Sequence, residues 1–267
     1  MFCYAAANSR RTGGCMWFEQ GATRVYYEEE GRGDTVLLLP GFAGSIEDLS
    51  EVRKALSASY RVIAADLPGS GRSLPQPREY TSTYHTDDAR TFLSMLTKLG
   101  TGPAHLIGFS DGGEVSLVMA GRQPELARSV VGWGAMGFLR ASELPVFEAF
   151  ETVVDEPIEP FRRFSEYLKA TYGEGNARVM IQSFVNACRA IIAAGGDIGR
   201  AQSGDIACPV LLIAGENDPL APPDGTSQFA STLRQGEFLL RPGAGHDVQR
   251  SHGEWLCETI LAWLGDH

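Results

Sequence analysis

The stretch HLIGFSDGGEVS, residues 105–116, decides the fold. The run Ala104 to Gly108, which leads into it, has the character of a short buried strand. Residues 111–121 place Val115, Val118 and Met119 at helical spacing. Between them stands Gly108-Phe109-Ser110-Asp111-Gly112. A serine nucleophile needs a tight, strained strand-to-helix turn to expose its hydroxyl, and small residues two before and two after it permit that turn. The G-x-S-x-G string alone is common in a chain rich in glycine and serine; the strand-to-helix context gives it meaning.

Working outward, the same unit recurs. Residues 24–28 (RVYYE), 35–40 (TVLLLP), 61–66 (RVIAAD), 129–133 (SVVGW), 209–214 (PVLLIA) and 237–240 (EFLL) read as strands. Residues 46–57, 86–99, 226–234 and 254–264 read as amphipathic helices. Strands alternating with helices at this spacing predict a parallel sheet covered on both faces. The rhythm breaks over 136–200, where helical pieces at 142–154, 160–172 and 176–194 occur without a convincing strand. That block is expected to form a cap over one end of the sheet. The expected organisation is a core of 16–135 and 201–267, the cap of 136–200 inserted in it, and a loose, dispensable tail of 1–15.

A serine hydroxyl needs an adjacent base. Of the histidines, His246 follows the strand EFLL and precedes the last helix, which puts it in a loop on the sheet edge where Ser110 emerges. His105 lies inside a strand, His85 begins a helix, His252 is near the start of the last helix and His267 is terminal. The base in turn needs a carboxylate to set its tautomer. Asp218, in Gly215-Glu-Asn-Asp-Pro219, also leaves a strand at that edge, with Glu216 as nearest rival and Asp224 and Asp247 read as surface groups. The chain order is Ser110, Asp218, His246, as expected for a serine nucleophile on such a sheet. An oxyanion needs backbone N–H donors. Asp111, after the nucleophile, should supply one and Phe42, in Pro40-Gly-Phe-Ala-Gly44, the other, with Gly41 allowing the loop close to substrate; the alternative for this loop is a simple turn.

Composition bounds the rest. The chain has 267 residues, a net charge of −10 and 43% hydrophobic residues, ordinary for a soluble globular protein. Its acidity argues against nucleic-acid partners, and no apolar run is long enough to cross a membrane. Cys3, Cys15, Cys188, Cys208 and Cys257 are scattered and unpaired in pattern, so they read as reduced thiols of a cytoplasmic protein. No motif implies a metal or an organic cofactor. The expected partner is a small-molecule substrate, and a homo-oligomer is compatible with the sequence.

Five segments resemble the α/β-hydrolase superfamily in its order: LLLPGFAGS (37–45), AADLPGSGRS (64–73), HLIGFSDGGEVS (105–116), CPVLLIAGENDPLAPP (208–223) and GAGHDVQRSHGEWL (243–256). Within it, LLLPG with GFSDGG is similar to the biphenyl-hydrolase-like, valacyclovir-hydrolase-type enzymes. The resemblance implies an α/β-hydrolase fold with a mostly parallel eight-stranded sheet, flanking helices and a helical cap. It implies hydrolysis of carboxylic esters, amino-acid esters or amides among them, through an acyl-enzyme. It also implies that Asp111 holds the α-amino group of an amino-acid ester; the alternative is that Asp111 caps the following helix. Many relatives carry His-Gly where this chain has Pro40-Gly41, so a customary loop-bracing imidazole is missing. Phe138, Phe147, Phe150 or Phe161 could line an apolar pocket or merely pack the cap onto the core. Because fold and triad do not determine the reaction, a C–C hydrolase, a lyase, a perhydrolase and a non-catalytic small-molecule receptor stay as alternatives.

Overall fold

The computed structural model describes residues 16–156, 159 and 161–267; the expectation of a dispensable tail at 1–15 lies outside them. The described residues form an eight-stranded sheet in the order β1-β2-β4-β3-β5-β6-β7-β8. The strands are β1 (Met16–Gln20), β2 (Thr23–Glu30), β3 (Thr35–Leu39), β4 (Arg61–Ala65), β5 (Ala104–Phe109), β6 (Ala127–Trp133), β7 (Val210–Gly215) and β8 (Gly236–Arg241). β1, β2 and β4 pair antiparallel, and every pairing from β4 through β8 is parallel. The central strands β3, β5 and β7 are buried along their whole length, as strands covered on both faces must be.

β1 is the strand the hydrophobic pattern does not announce. It is five residues long, lies at the sheet edge and buries only Phe18, so it carries almost no periodic signal. Gly21, at φ +60°, turns it into β2.

Nine helices follow among the described residues: α1 (Ser50–Ser57), α2 (Tyr84–Leu99), α3 (Asp111–Arg122), α4 (Leu144–Glu148), α5 (Arg162–Tyr172), α6 (Glu174–Ala193), α7 (Pro223–Thr232), α8 (Val248–Ser251) and α9 (Gly253–Asp266). Two buried clusters occupy the two faces of the sheet. On one, Phe92, Met95 and Leu96 of α2 and Val115, Val118 and Met119 of α3 pack on Leu37, Leu39 and Ile63. On the other, Val52 and Leu56 of α1 and Leu256, Ile260 and Leu264 of α9 pack on Val36, Leu38 and Ile107. Alternate residues of one strand thus serve opposite layers. None of the helices among the described residues is long and apolar enough to cross a membrane.

Between β6 and β7 the described chain is helical, with α4, α5, α6 and a turn of 3₁₀ helix at Arg200–Asp205. The two ends of this insertion are pinned together. Leu139 N–H donates to Gly196 O, and Gly137 O accepts from Ile198, Gly199 and Arg200. The expected single helix over 142–154 is only α4 followed by turns.

Candidate active site

The turn after β5 forms because three chain segments meet with no room for side chains. A Cβ on Gly108 would lie 2.2 Å from the Gly112 carbonyl, and one on Gly112 would lie 2.4 Å from Leu39 O. Ser110 itself sits at φ 51°, ψ −121°. That is a region non-glycine residues avoid at about 1–3 kcal/mol, held here by the surrounding hydrogen bonds. Ser110 N–H donates to Trp133 O at 2.8 Å, and Ser110 O accepts the Glu114 N–H that starts α3.

The three residues singled out for chemistry meet. Ser110 Oγ lies 3.1 Å from His246 Nε2. His246 Nδ1 lies 2.8 Å from Asp218 Oδ2 and 3.0 Å from Oδ1. An ionised carboxylate only accepts, so Nδ1 carries the proton and Nε2 is left to accept from the serine hydroxyl. Asp218 is buried, and its Oδ1 also accepts the N–H groups of Leu220 and Ala221. The loops after β7 and β8 are tied together by Glu216 N–H to Arg241 O and Asn217 N–H to Ala244 O. Desolvation pushes the His246 pKa down, but the charge and hydrogen bond of Asp218 outweigh it and leave the value raised above the ordinary histidine value.

The rivals lie elsewhere. Glu216 accepts Gly243 N–H from the surface, and exposed Asp224 pairs with Arg140. His105 is buried against Ser129 Oγ, with its pKa pushed down by desolvation to about 4. Cys188, Cys208 and Cys257 are free thiols. Among the described residues no three of His, Cys, Asp and Glu converge as a metal would require.

Above Ser110 lies a cavity of about 650 Å³. Gly41, Phe42 and Asp111 all line it. A Cβ on Gly41 would come within 3.1 Å of Ser110 Cβ, so this loop passes directly over the serine. Asp111 is the first residue of α3, where helix N–H groups have no partner within the helix. From the insertion, Phe147, Phe150 and Phe161 face the cavity, together with Phe164, Tyr167 and Phe184, which stacks on Phe42 at 3.8 Å. Phe138 is not among these; it is buried beneath Arg200.

The inner end holds residues that strand and helix patterns did not single out: Tyr84, His85 and Glu114. Asp111 makes no capping bond; its Oδ1 accepts from the Tyr84 hydroxyl at 2.9 Å and lies 3.4 Å from His85 Nε2, while its buried Oδ2 has no hydrogen-bond partner. Glu114 accepts from the Met136 and Gly137 N–H groups, and burial raises its pKa to about 7. The signal for Glu114 was present: three residues after Asp111, it falls on the same helix face.

Residues 34–169 match the model of the alpha/beta hydrolase fold family, and 175–264 match that of the TAP-like proteins. The chain is 30% identical over 229 residues to the human serine hydrolase BPHL, covering 84% of this chain and 77% of that one. It is 27% identical to a 2-hydroxy-6-oxononadienedioate/2-hydroxy-6-oxononatrienedioate hydrolase of Burkholderia vietnamiensis, covering 90% and 91% of the two chains. Among solved structures, a 2-hydroxy-6-oxo-6-phenylhexa-2,4-dienoate hydrolase from Rhodococcus superposes with a TM-score of 0.77 at 18% identity, covering 94% of this chain and 99% of that one, a likeness of fold.

Proposed function

This chain belongs to the alpha/beta hydrolase family, and from that premise we propose that it is a serine hydrolase cleaving carboxylic esters of small molecules through an acyl-enzyme. The observation that carries this reading is the hydrogen-bonded run from Ser110 through His246 to Asp218, opening into the cavity. Ser110 Oγ attacks the ester carbonyl while its proton passes to His246 Nε2. The Phe42 and Asp111 N–H groups hold the oxyanion. The imidazolium, stabilised by Asp218, then protonates the departing alcohol, and the neutral imidazole later takes a proton from the water that releases the acid. The helical insertion acts as a cap that walls the acyl or alcohol group with phenylalanines.

The substrate class we favour is amino-acid esters. A buried Asp111 oxygen without a partner, beside Ser110, suits an ammonium two bonds from the scissile carbonyl carbon. Similarity to proteins named for dioates supports a second reading, a dicarboxylate substrate. Two buried acids, Asp111 and Glu114, at the inner end weigh against it.

A fluorophosphonate probe with mass spectrometry should label Ser110, and aminoacyl p-nitrophenyl esters should turn over faster than acetyl esters. Asp111→Asn should impair the aminoacyl esters selectively. Equal losses for both would remove the ammonium assignment. No label and no ester hydrolysis would remove the serine-hydrolase reading altogether.

A further inference from the structure

Pro40 offers the loop over Ser110 no side-chain hydrogen bond, yet this loop holds Ala43 at φ 50°, a conformation that a side-chain-bearing residue keeps only when its surroundings impose it. What imposes it reaches down from α5. The Tyr172 hydroxyl donates to Ala43 O at 2.7 Å and the Tyr167 hydroxyl donates to the same oxygen at 3.1 Å. The Tyr172 oxygen also accepts the Gly71 N–H at 2.8 Å, so one phenol joins the loops that follow β3 and β4. Burial raises the pKa of both phenols, which keeps the protons they donate.

The consequence follows from peptide planarity. In a trans peptide the C=O and the next N–H point in opposite directions across one rigid plane. Ala43 C=O and Gly44 N–H share such a plane, and Gly44 N–H donates to Gly41 O at 3.0 Å. Gly41 C=O shares a second plane, two peptides earlier in the chain, with Phe42 N–H. Fixing the Ala43 carbonyl therefore fixes Gly44 N–H, which fixes the Gly41 carbonyl, which aims Phe42 N–H the opposite way. Resting on the hydrolase reading above, we propose that Tyr172, assisted by Tyr167, is the positioning residue of the oxyanion-binding loop. Its phenol holds Ala43 O, and two peptide planes joined by the Gly44 N–H to Gly41 O hydrogen bond carry that orientation to the Phe42 N–H. The insertion thus takes part in arranging the chemistry as well as covering it.

Tyr172 is the cleaner probe, because Tyr167 also lines the cavity. Tyr172→Phe keeps the ring and removes only the hydroxyl. With a p-nitrophenyl ester, kcat should fall about tenfold with KM within about twofold, since a donor slightly misaimed weakens the transition state more than the ground state. The double variant with Tyr167→Phe should lose more. Peptide-level hydrogen exchange should show the Gly44 amide exchanging faster in both variants while α9 keeps its protection. Wild-type Gly44 exchange in both variants overturns the proposal. So does a loosened Gly44 with unchanged kcat, or a change confined to KM. A wild-type protein that no serine probe labels would instead overturn the hydrolase reading, and Gly44 exchange would still decide whether the phenols brace the loop.

Discussion

The rim of the sheet and the helical insertion above it are built on different physics. At the rim, Ser110, Asp218 and His246 hang from loops whose backbones are tied to one another, and glycines at 108 and 112 bring main chain against main chain. In the insertion, phenylalanine rings face a cavity, and ion pairs open to solvent tie α6 to α4 and to the turns after it: Arg189 to Glu148 and Glu151, and Arg178 to Asp155. Backbone contacts tolerate almost no change in shape, whereas an apolar wall tolerates swaps of similar volume. The rim is therefore rigid in shape and the insertion tolerant of change. Tyr172 is the exception that crosses from one to the other.

Substitutions can break that contrast. The largest effect is expected at Ser110→Ala: kcat for ester hydrolysis should fall by about 10⁴-fold or more, with circular dichroism and thermal melting unchanged. Near-normal turnover would detach the chemistry from the rim. Gly112→Ala tests the backbone contact, because its Cβ would meet Leu39 O at 2.4 Å. A loss of roughly 3 kcal/mol in urea unfolding is expected; a silent change would mean the rim is softer than argued. Phe150→Ala, in the cavity wall, should raise KM for aromatic esters about tenfold and leave kcat within about threefold. A collapse of kcat there would erase the division of labour. The smallest effect belongs to Arg189→Gln: its ion pairs lie in solvent, so the urea midpoint should stay within the scatter of the wild type and turnover should not change.

The pH profile probes the rim alone. Asp218 stabilises the imidazolium and the His246 pKa is raised, so the protonated, inactive form persists above the usual histidine range of about 6.5. The acidic limb of kcat/KM should therefore lie above that value, and in Asp218→Asn it should move down. A limb below it would mean that desolvation wins over the carboxylate.

Strands with unbroken apolar runs and helices with strong periodicity were readable from the chain: β3, β5 and β7 are buried throughout, α2 carries a long apolar face, and Ser110 stood at the end of β5. β1 was not, because an edge strand burying one residue has no period to detect. The candidate triad was readable because parallel strands end on one side, so position along the chain translates into position in space. Of the two carboxylates two residues apart, sequence placed Asp218 beside His246 with Glu216 as its rival; the paths of the loops after β7 and β8 bring Asp218 to the imidazole and send Glu216 to the surface.

By itself the sequence determined the layered sheet and the strained turn at Ser110, which depend on local propensity and on residues near one another in the chain, and the order in which the candidate groups Ser110, Asp218 and His246 leave the strands, which is read directly off the chain. Only the tertiary structure decided that Tyr84, His85 and Glu114 share the inner cavity with Asp111, and that Tyr172 reaches Ala43. Those meetings join residues from α2, α3, α5 and a loop, up to 129 positions apart, and distances of that kind are set by helix packing rather than by any pattern within a single segment.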